Sequence, residues 1–496
     1  MYRIATTHAV LLVLTVAWLA GCGSSSSTTA PPTPGPLSPD NVNLIFLVSE
    51  DLDYSASGDV NPNTTNLTNQ GLQRSLRTAT FLKQQVLGTK NVTGIYVLEP
   101  MTHMQTALQT AIKYPDMAAL ETVQQFALLN QITLSDVPAP QYVPYTGNSY
   151  PLNASYTPAG PLPTGVATPA ISCPGCQGLD FNDQGADNET LVTGIIASRA
   201  PGYYVFSAPW ETARPLMANI NGIEGFNLTL PTSYAGPNYI YAISIALSGS
   251  ASLVTYNSNL DPPSTYPVLP SPTPASTPCA VPTFSITVTG GVDGAVIPTG
   301  INTNETLYLI RHAEAHPQGH WDDGNYVCAG QWRALDLPYA LRGKISPNRV
   351  YSVDPAQVIA GTQNDTGNFS WSYVRPALTV EPYAIANDLP YGLAASFDIF
   401  ASDSPQQASK FFFNGGQFSN QTVLLAWEHD HIPPTVRALV STYFPNGGPP
   451  PVPDWPGNDY DTIWTVTLDA SGNLTVNNAL CEGIDSASLP ATCPQF

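Results

Sequence analysis

Apolar positions in this chain come in short blocks, each cut off by polar residues. LIFLVSED (Leu44 to Asp51) runs apolar and then turns acidic, and LYLIRHAE (Leu307 to Glu314) runs apolar into an Arg-His pair. Blocks of this length and composition predict strands. GLQRS (Gly71 to Ser75) and GQWRA (Gly330 to Ala334) each open a helical pattern. IYVLEP (Ile95 to Pro100) and VYSVDP (Val350 to Pro355) read as second strands stopped by proline. THMQTALQTAI from Thr102 and RPALTVEPYAI from Arg375 read as helices. YVFSAPWET (Tyr204 to Thr212) and TVLLAWEHD (Thr422 to Asp430) read as third strands. Each series closes on an expected hairpin, Tyr239 to Tyr256 and Thr462 to Val476, the latter turning at Ser-Gly.

The landmarks fall in one order on both sides of a Pro-rich segment, so the pattern predicts an internal duplication. Strands alternating with helices predict an α/β fold with a mostly parallel, helix-covered sheet in each copy. Ligands of such sheets sit beyond the carboxyl ends of the strands. Arg311, His312 and His429 all stand at such ends.

The N-terminus changes the picture of where the chain works. Arg3 precedes an apolar segment, Ala9 to Ala20, that is short for a membrane span and has the length of a signal-peptide core. It ends in Leu19-Ala20-Gly21-Cys22, which resembles a bacterial lipobox and implies lipidation at Cys22; the plain alternative is a signal peptide with a chance cysteine. A Ser/Thr/Pro-rich stretch follows, the composition of a tether. The expected divisions are a signal peptide at 1–22, a tether at 23–40, a first domain at 41–260, a Pro-rich linker at 261–284 and a second domain at 285–496. With no Asp at Gly23 or Ser24, the expected address is the cell envelope, at the outer membrane if the cell is Gram-negative.

Composition fits export. Among 496 residues, 16 Lys and Arg face 36 Asp and Glu, a net charge of −20. So few cations exclude nucleic acid as a partner. The acidic surface also argues against long-range steering of anionic substrates, so any attraction is local to a pocket. Setting Cys22 aside leaves Cys173, Cys176, Cys279, Cys328, Cys481 and Cys493, an even set that suits disulfides in an oxidising compartment; their pairing is open. Cys173-Pro-Gly-Cys176 could instead serve thiol redox chemistry or zinc, but no second CxxC completes a zinc site.

Four stretches of the second half resemble the histidine phosphatase superfamily, the phosphoglycerate mutase-like fold. They are Arg311-His312-Ala313-Glu314 after a strand, GQWRALDL, SYVRPALTVEP from Ser372, and VLLAWEHDHIP from Val423. The resemblance implies two three-layer α/β/α domains in tandem. It also implies that His312 attacks phosphorus, that Arg311 and Arg375 grip the phosphoryl oxygens, and that His429 is the second catalytic histidine. The residue types suit that chemistry. A neutral imidazole is a nucleophile, and guanidinium forks match phosphate oxygens at any relevant pH. This scheme needs no metal or cofactor. The implied partner is a phosphorylated small molecule; oligomeric state is not legible.

Asp430 after His429 resembles the His-Asp pair of the acid phosphatase branch, where the Asp protonates the leaving group. That branch also carries an Arg where this chain has Ala315, which leaves the acid open. Glu381 reads as a helix-surface residue, and His431 rivals His429. His316, His320, Asp322 and Asp323 read as a solvated loop rather than a metal site, and Arg333 and Arg74 read as structural.

In the first half, Val48 and Ser49 stand where Arg311 and His312 stand, Thr102 where Arg375 stands, and Thr212 where His429 stands. That copy is expected to be inactive. Glu50 and Asp51 would repel phosphate and suit a cation instead. The competing expectation for the whole chain is a non-catalytic envelope protein that binds a ligand with the same fold.

Overall fold

The computed structural model describes residues 34–130, 150–154, 177–183, 185–270, 279, 282–315, 323–355, 358–363, 367–394 and 404–496, with the side chains of 55–57 and 358–370 excepted. Cys22, Cys173, Cys176, His316, His320 and Asp322 lie outside the described residues.

The first half runs β1 (Val42–Ser49), α1 (Asn69–Phe81), β2 (Gly94–Val97), a ribbon of β3 (Met104–Thr106) and β4 (Lys113–Pro115), α2 (Ala118–Leu129), α3 (Asp187–Ser198), β5 (Gly202–Pro209), α4 (Trp210–Ile223), and the hairpin β6 (Tyr239–Ile245) with β7 (Ala251–Asn257). The second half runs β8 (Ser285–Val288), β9 (Glu305–Arg311), α5 (Cys328–Ala340), β10 (Arg349–Val353), a ribbon of β11 (Val358–Gln363) and β12 (Gly367–Ser372), α6 (Arg375–Ala386), β13 (Tyr391–Ala394), α7 (Ser404–Phe413), β14 (Thr422–Trp427), α8 (Ile432–Thr442), β15 (Thr462–Leu468) and β16 (Leu474–Cys481).

The fold is mixed α/β. One sheet has the order β2-β5-β1-β6-β7 and the other β13-β10-β14-β9-β15-β16-β8. In each, the strands at the site end are parallel (β2, β5 and β1; β13, β10, β14 and β9), and an antiparallel hairpin continues the sheet. β1 is buried at every position, which explains its unbroken apolar run.

The helices correct two expectations. Thr102 does not open a helix; it ends a short 3-10 turn, Pro100–Thr102, and the helix that packs on α1 and the sheet is α2, from Ala118. Thr-Val-Gln-Gln-Phe-Ala of α2 lines up with Thr-Val-Glu-Pro-Tyr-Ala of α6, which sets Ala118, not Thr102, opposite Arg375. Likewise β5 runs directly into α4 at Trp210, so Thr212 lies inside a helix. The loop Glu428 to His431 between β14 and α8 has no counterpart there.

The two halves are parts of one compact unit, Pro34–Phe496. A small apolar cluster joins Leu72 and Leu76 of α1 and Ala118 of α2 to Leu335 of α5 and Ile385 of α6. Gln124 donates to Asn325 (2.9 Å), Gln125 to the Pro494 carbonyl (2.8 Å), and the Ala154 N–H to Ser372 Oγ (3.0 Å). Glu381 belongs to this seam. It is fully buried, not a surface residue, and its carboxyl faces that of Glu121. The described ends of the tether and linker are also docked: Leu37 is buried, and Tyr266 donates to the Leu335 carbonyl at 2.9 Å. Disulfides join Cys279 to Cys481 and Cys328 to Cys493. Among the described residues no helix is long and apolar enough to cross a membrane.

Candidate active site

The site lies beyond the carboxyl ends of β9 and β14. These strands are parallel and in register, Arg311 opposite Trp427, so His312 and Glu428 emerge side by side. The His312 N–H still donates to the Trp427 carbonyl at 2.9 Å, which carries the ladder one residue further. Arg375 is the first residue of α6, followed by Pro376, whose missing N–H costs nothing at a helix start. Its own N–H donates to the Gly324 carbonyl at 3.0 Å. Gly324 has a φ of +72°, and a Cβ there would come within 1.9 Å of the Ser372 carbonyl, so only glycine lets these segments meet. Thr379 then ties α6 to the strand end: its Oγ1 accepts from the Ala313 N–H (2.8 Å) and donates to the Arg375 carbonyl (2.7 Å).

His312 is buried, with Nδ1 2.7 Å from the Ala313 carbonyl. A carbonyl only accepts, so Nδ1 carries the hydrogen and Nε2 presents its lone pair to the pocket. Burial pushes the imidazole down to about 4; the pull of Glu428 opposes this, and Arg375 and Arg311 add to it.

Three of the expected residues, His312, Arg375 and His429, meet around one that the sequence pattern does not single out, Glu428. Its Oε2 lies 3.0 Å from His312 Nε2, accepts from Tyr373 Oη at 2.8 Å, and stands 3.4 Å from Arg375 Nη2. Its Oε1 accepts from the His429 N–H at 3.1 Å and pairs with His429 Nδ1. Burial alone would raise this carboxyl, but His312, His429 and Arg375 hold it well below the usual carboxylate range. A lone pair and a carboxylate oxygen at 3.0 Å need a proton between them. Above about pH 4 both partners have shed it, and Tyr373, His429 and Arg375 are left to hold the carboxylate.

Arg311 stands at the side. Its guanidinium lies over the Tyr460 ring, 3.8 Å from the centroid, and Nη1 donates to the Gly457 carbonyl at 2.7 Å. Arg375 similarly lies 4.8 Å from the Tyr373 ring centre. Stacking fixes both forks without neutralising them. Asp430 points outward, with a side chain 61% exposed; its Oδ1 lies 3.4 Å from His429 Nε2. His431 stacks on Trp427, with ring centroids 5.5 Å apart.

Arg333 has no part in this pocket. It is wholly buried, paired with Glu314 (2.7 Å) and Glu482 (2.5 Å). Arg74 pairs with Asp59 at 2.6 Å in the first half. Asp323 is buried and accepts from the Asn325 N–H, so it is not a solvated loop residue.

A carboxylate gathered by the His429 imidazole, a guanidinium, a phenol and a backbone N–H marks an anion seat. Such a seat, with a bare imidazole nitrogen at its floor, can hold a tetrahedral oxyanion and attack it.

No family model matches the chain, and no curated protein does. Among solved structures, similarity is found to a mutant phosphoserine phosphatase of Entamoeba histolytica in complex with phosphoserine. Identity is 14%, over 34% of this chain and 93% of that one, with a TM-score of 0.18. Similarity is also found to a Nakamurella multipartitia protein assigned as the phosphohistidine phosphatase SixA. Identity is 17%, over 40% of this chain and 96% of that one, with a TM-score of 0.21.

Proposed function

We propose that this chain is an exported phosphatase, lipid-anchored through Cys22 in the cell envelope, that hydrolyses phosphate monoesters through a phosphohistidine. Residues 285–496 form its catalytic domain, and residues 41–260 are a duplicate that has lost the chemistry. The observation that carries the reading is His312: Nδ1 is committed to the Ala313 carbonyl, and Nε2 lies 3.0 Å from a Glu428 carboxylate whose oxygens accept from Arg375, Tyr373 and the His429 N–H.

Substrate phosphate displaces the Glu428 carboxylate from its seat. His312 Nε2 attacks phosphorus, an N–P bond forms, and the P–O bond to the alcohol breaks. Arg311, Arg375 and His429 hold the three oxygens that share the charge, each donor contributing about 3 kcal/mol at such a site. The departing oxygen takes a proton from a carboxyl beside the seat: Asp430, or Glu428 once displacement from its cations lets it take up a proton. Water then attacks phosphorus and gives a proton back to that carboxylate, the N–P bond breaks, and phosphate leaves. Hydrolysis is preferred over a mutase reaction because cofactor-dependent mutases work on cytosolic metabolites.

One observation favours the competing reading, a non-catalytic ligand-binding lipoprotein: a carboxylate sits where phosphate must bind. Turnover of p-nitrophenyl phosphate by the full chain in detergent separates the two. The phosphatase reading expects turnover that His312→Ala lowers at least ~1,000-fold, as loss of a nucleophile does. Activity that survives the substitution, or absent turnover in the parent chain, refutes it.

A further inference from the structure

A second group of metal-ligating side chains converges in the half that lacks the phosphoryl-binding residues. It lies at the carboxyl ends of β1, β2 and β5, where parallel sheets hold ligands. Asp51 and Asp53 follow β1, His103 follows the 3-10 turn after β2, Asp116 precedes α2, and Glu211 lies in the first turn of α4. Ligand atoms of Asp51, His103 and Asp116 lie within 4.8 Å of one another, and so do those of Asp51, Asp53 and Glu211.

The imidazole is held in one orientation. His103 Nδ1 lies 2.8 Å from Oδ2 of Asp116, a wholly buried carboxylate. The ring stacks on Phe181 with centroids 3.7 Å apart and planes 3° apart. A carboxylate on one ring nitrogen is the usual support of a metal-binding histidine, because it fixes the tautomer and leaves the other nitrogen bare. Here the other nitrogen, Nε2, faces Asp51 Oδ2 at 3.3 Å. Two ligands on neighbouring corners of a tetrahedron stand about 1.63 times the metal–ligand distance apart, and about 2.05 Å to zinc gives about 3.3 Å.

The surrounding polar atoms are short of partners. Glu211 Oε2 is shut off from solvent and makes no hydrogen bond. Ser49, at the end of β1, is 3% exposed, and its Oγ also makes none. Among the described residues no Lys or Arg pairs with Asp51, Asp53, Asp116 or Glu211, and the one imidazole, His103, meets two of these carboxyls, Asp51 and Asp116. Ions are not brought together in a half-buried place without compensation.

We propose that the first half binds a divalent transition-metal ion. Asp51 is the shared ligand, with His103 Nε2 on one side of it and Asp53 and Glu211 on the other, and Asp116 orients His103. One imidazole among carboxylates suits Zn²⁺ or Mn²⁺ better than Ca²⁺ or Mg²⁺. The ion would join the ends of β1, β2 and β5, the place that the anion seat occupies in the other half, with the opposite charge preference. This site does not depend on the phosphatase reading, since binding is read on the metal itself.

The test uses the full chain, stripped with EDTA and titrated with Zn²⁺ and separately with Mn²⁺ by calorimetry. We expect one ion to bind with a dissociation constant below about 10 µM, a free energy near 7 kcal/mol, and His312→Ala to leave it unchanged. Asp116→Asn should weaken it about 10–100-fold, the usual effect of removing an orienting carboxylate. His103→Gln and Glu211→Gln should each weaken it further; if the His103 variant does not fold by circular dichroism, the half-buried Glu211 decides. Failure of both ions to bind tighter than about 10 µM overturns the proposal. So does binding that Glu211→Gln and Asp116→Asn leave intact.

Discussion

Replacing Glu428 by alanine should make the pocket bind phosphate analogues more tightly. The carboxylate holds its seat through Tyr373 Oη at 2.8 Å, the His429 N–H at 3.1 Å and Arg375 Nη2 at 3.4 Å, besides His429 Nδ1. A hydrogen bond to a charged group contributes about 1.5–3 kcal/mol net. An entering oxyanion must take over at least the two shorter of these donors, a cost of about 3 kcal/mol at the low end. At about 1.4 kcal/mol per factor of ten, that is about a 100-fold handicap on binding. Water filling the vacated seat returns part of it, so Glu428→Ala should tighten orthovanadate about 10–100-fold. The assay is competitive inhibition or calorimetry with orthovanadate at about pH 7.5, beside the parent chain. Glu428→Gln, which keeps the shape without the charge, should fall between. Unchanged or weaker vanadate binding by the alanine variant would refute the idea that this carboxylate and phosphate compete for one place.

Other expectations are as direct. The acid limb of kcat/KM should lie near pH 4, because burial holds His312 down to about 4 and only its neutral form attacks; a limb near the ordinary histidine value would contradict the buried imidazole. Glu121 and Glu381 are both raised, Glu121 to about 7, by burial and, for Glu381, by its partner as well. The folded chain therefore keeps protons that the unfolded chain sheds above about pH 4.3, and stability should fall as pH rises from there towards about 7. Glu381→Gln should flatten that fall, measured as the difference in urea midpoint from the parent chain at about pH 5 and about pH 8; parallel profiles would count against a shared proton. Arg333→Met leaves Glu314 and Glu482 buried without their cation and should cost about 3–5 kcal/mol by urea unfolding; a loss under about 1 kcal/mol would mean the ion pairs are dispensable.

Strands and their ends are legible in the sequence because local pattern determines them. Apolar blocks ending in Arg311-His312 and at Trp427 are strands wherever they occur, and the hairpins announce themselves by spacing. Helix boundaries in the first half are less legible. Thr102 begins a stretch with a helical look, but Pro100 and Pro115 confine it to a turn and a ribbon, and the helix waits until Ala118. Glu381 has the look of a surface residue because its partner Glu121 lies in the other half, which no local pattern encodes. The disulfide pairing is hidden for the same reason. Glu428 is the residue that local pattern could have supplied. It is the first residue after a strand whose end faces the pocket, and it adjoins a candidate catalytic histidine. A carboxylate repels phosphate, and that is a reason to look at it rather than past it.

The seam between the halves has a consequence for the history of the chain. Leu72, Leu76, Leu335 and Ile385 meet there, and water would reach all of them if either partner were removed. Once such a contact has turned apolar on both sides, neither side can be discarded, whether or not it still does chemistry. Dependence of this kind tightens like a ratchet: each greasy substitution is harmless while the neighbour is present and ruinous without it. One half can thus be retained simply because the other has lost the ability to stand bare in solvent.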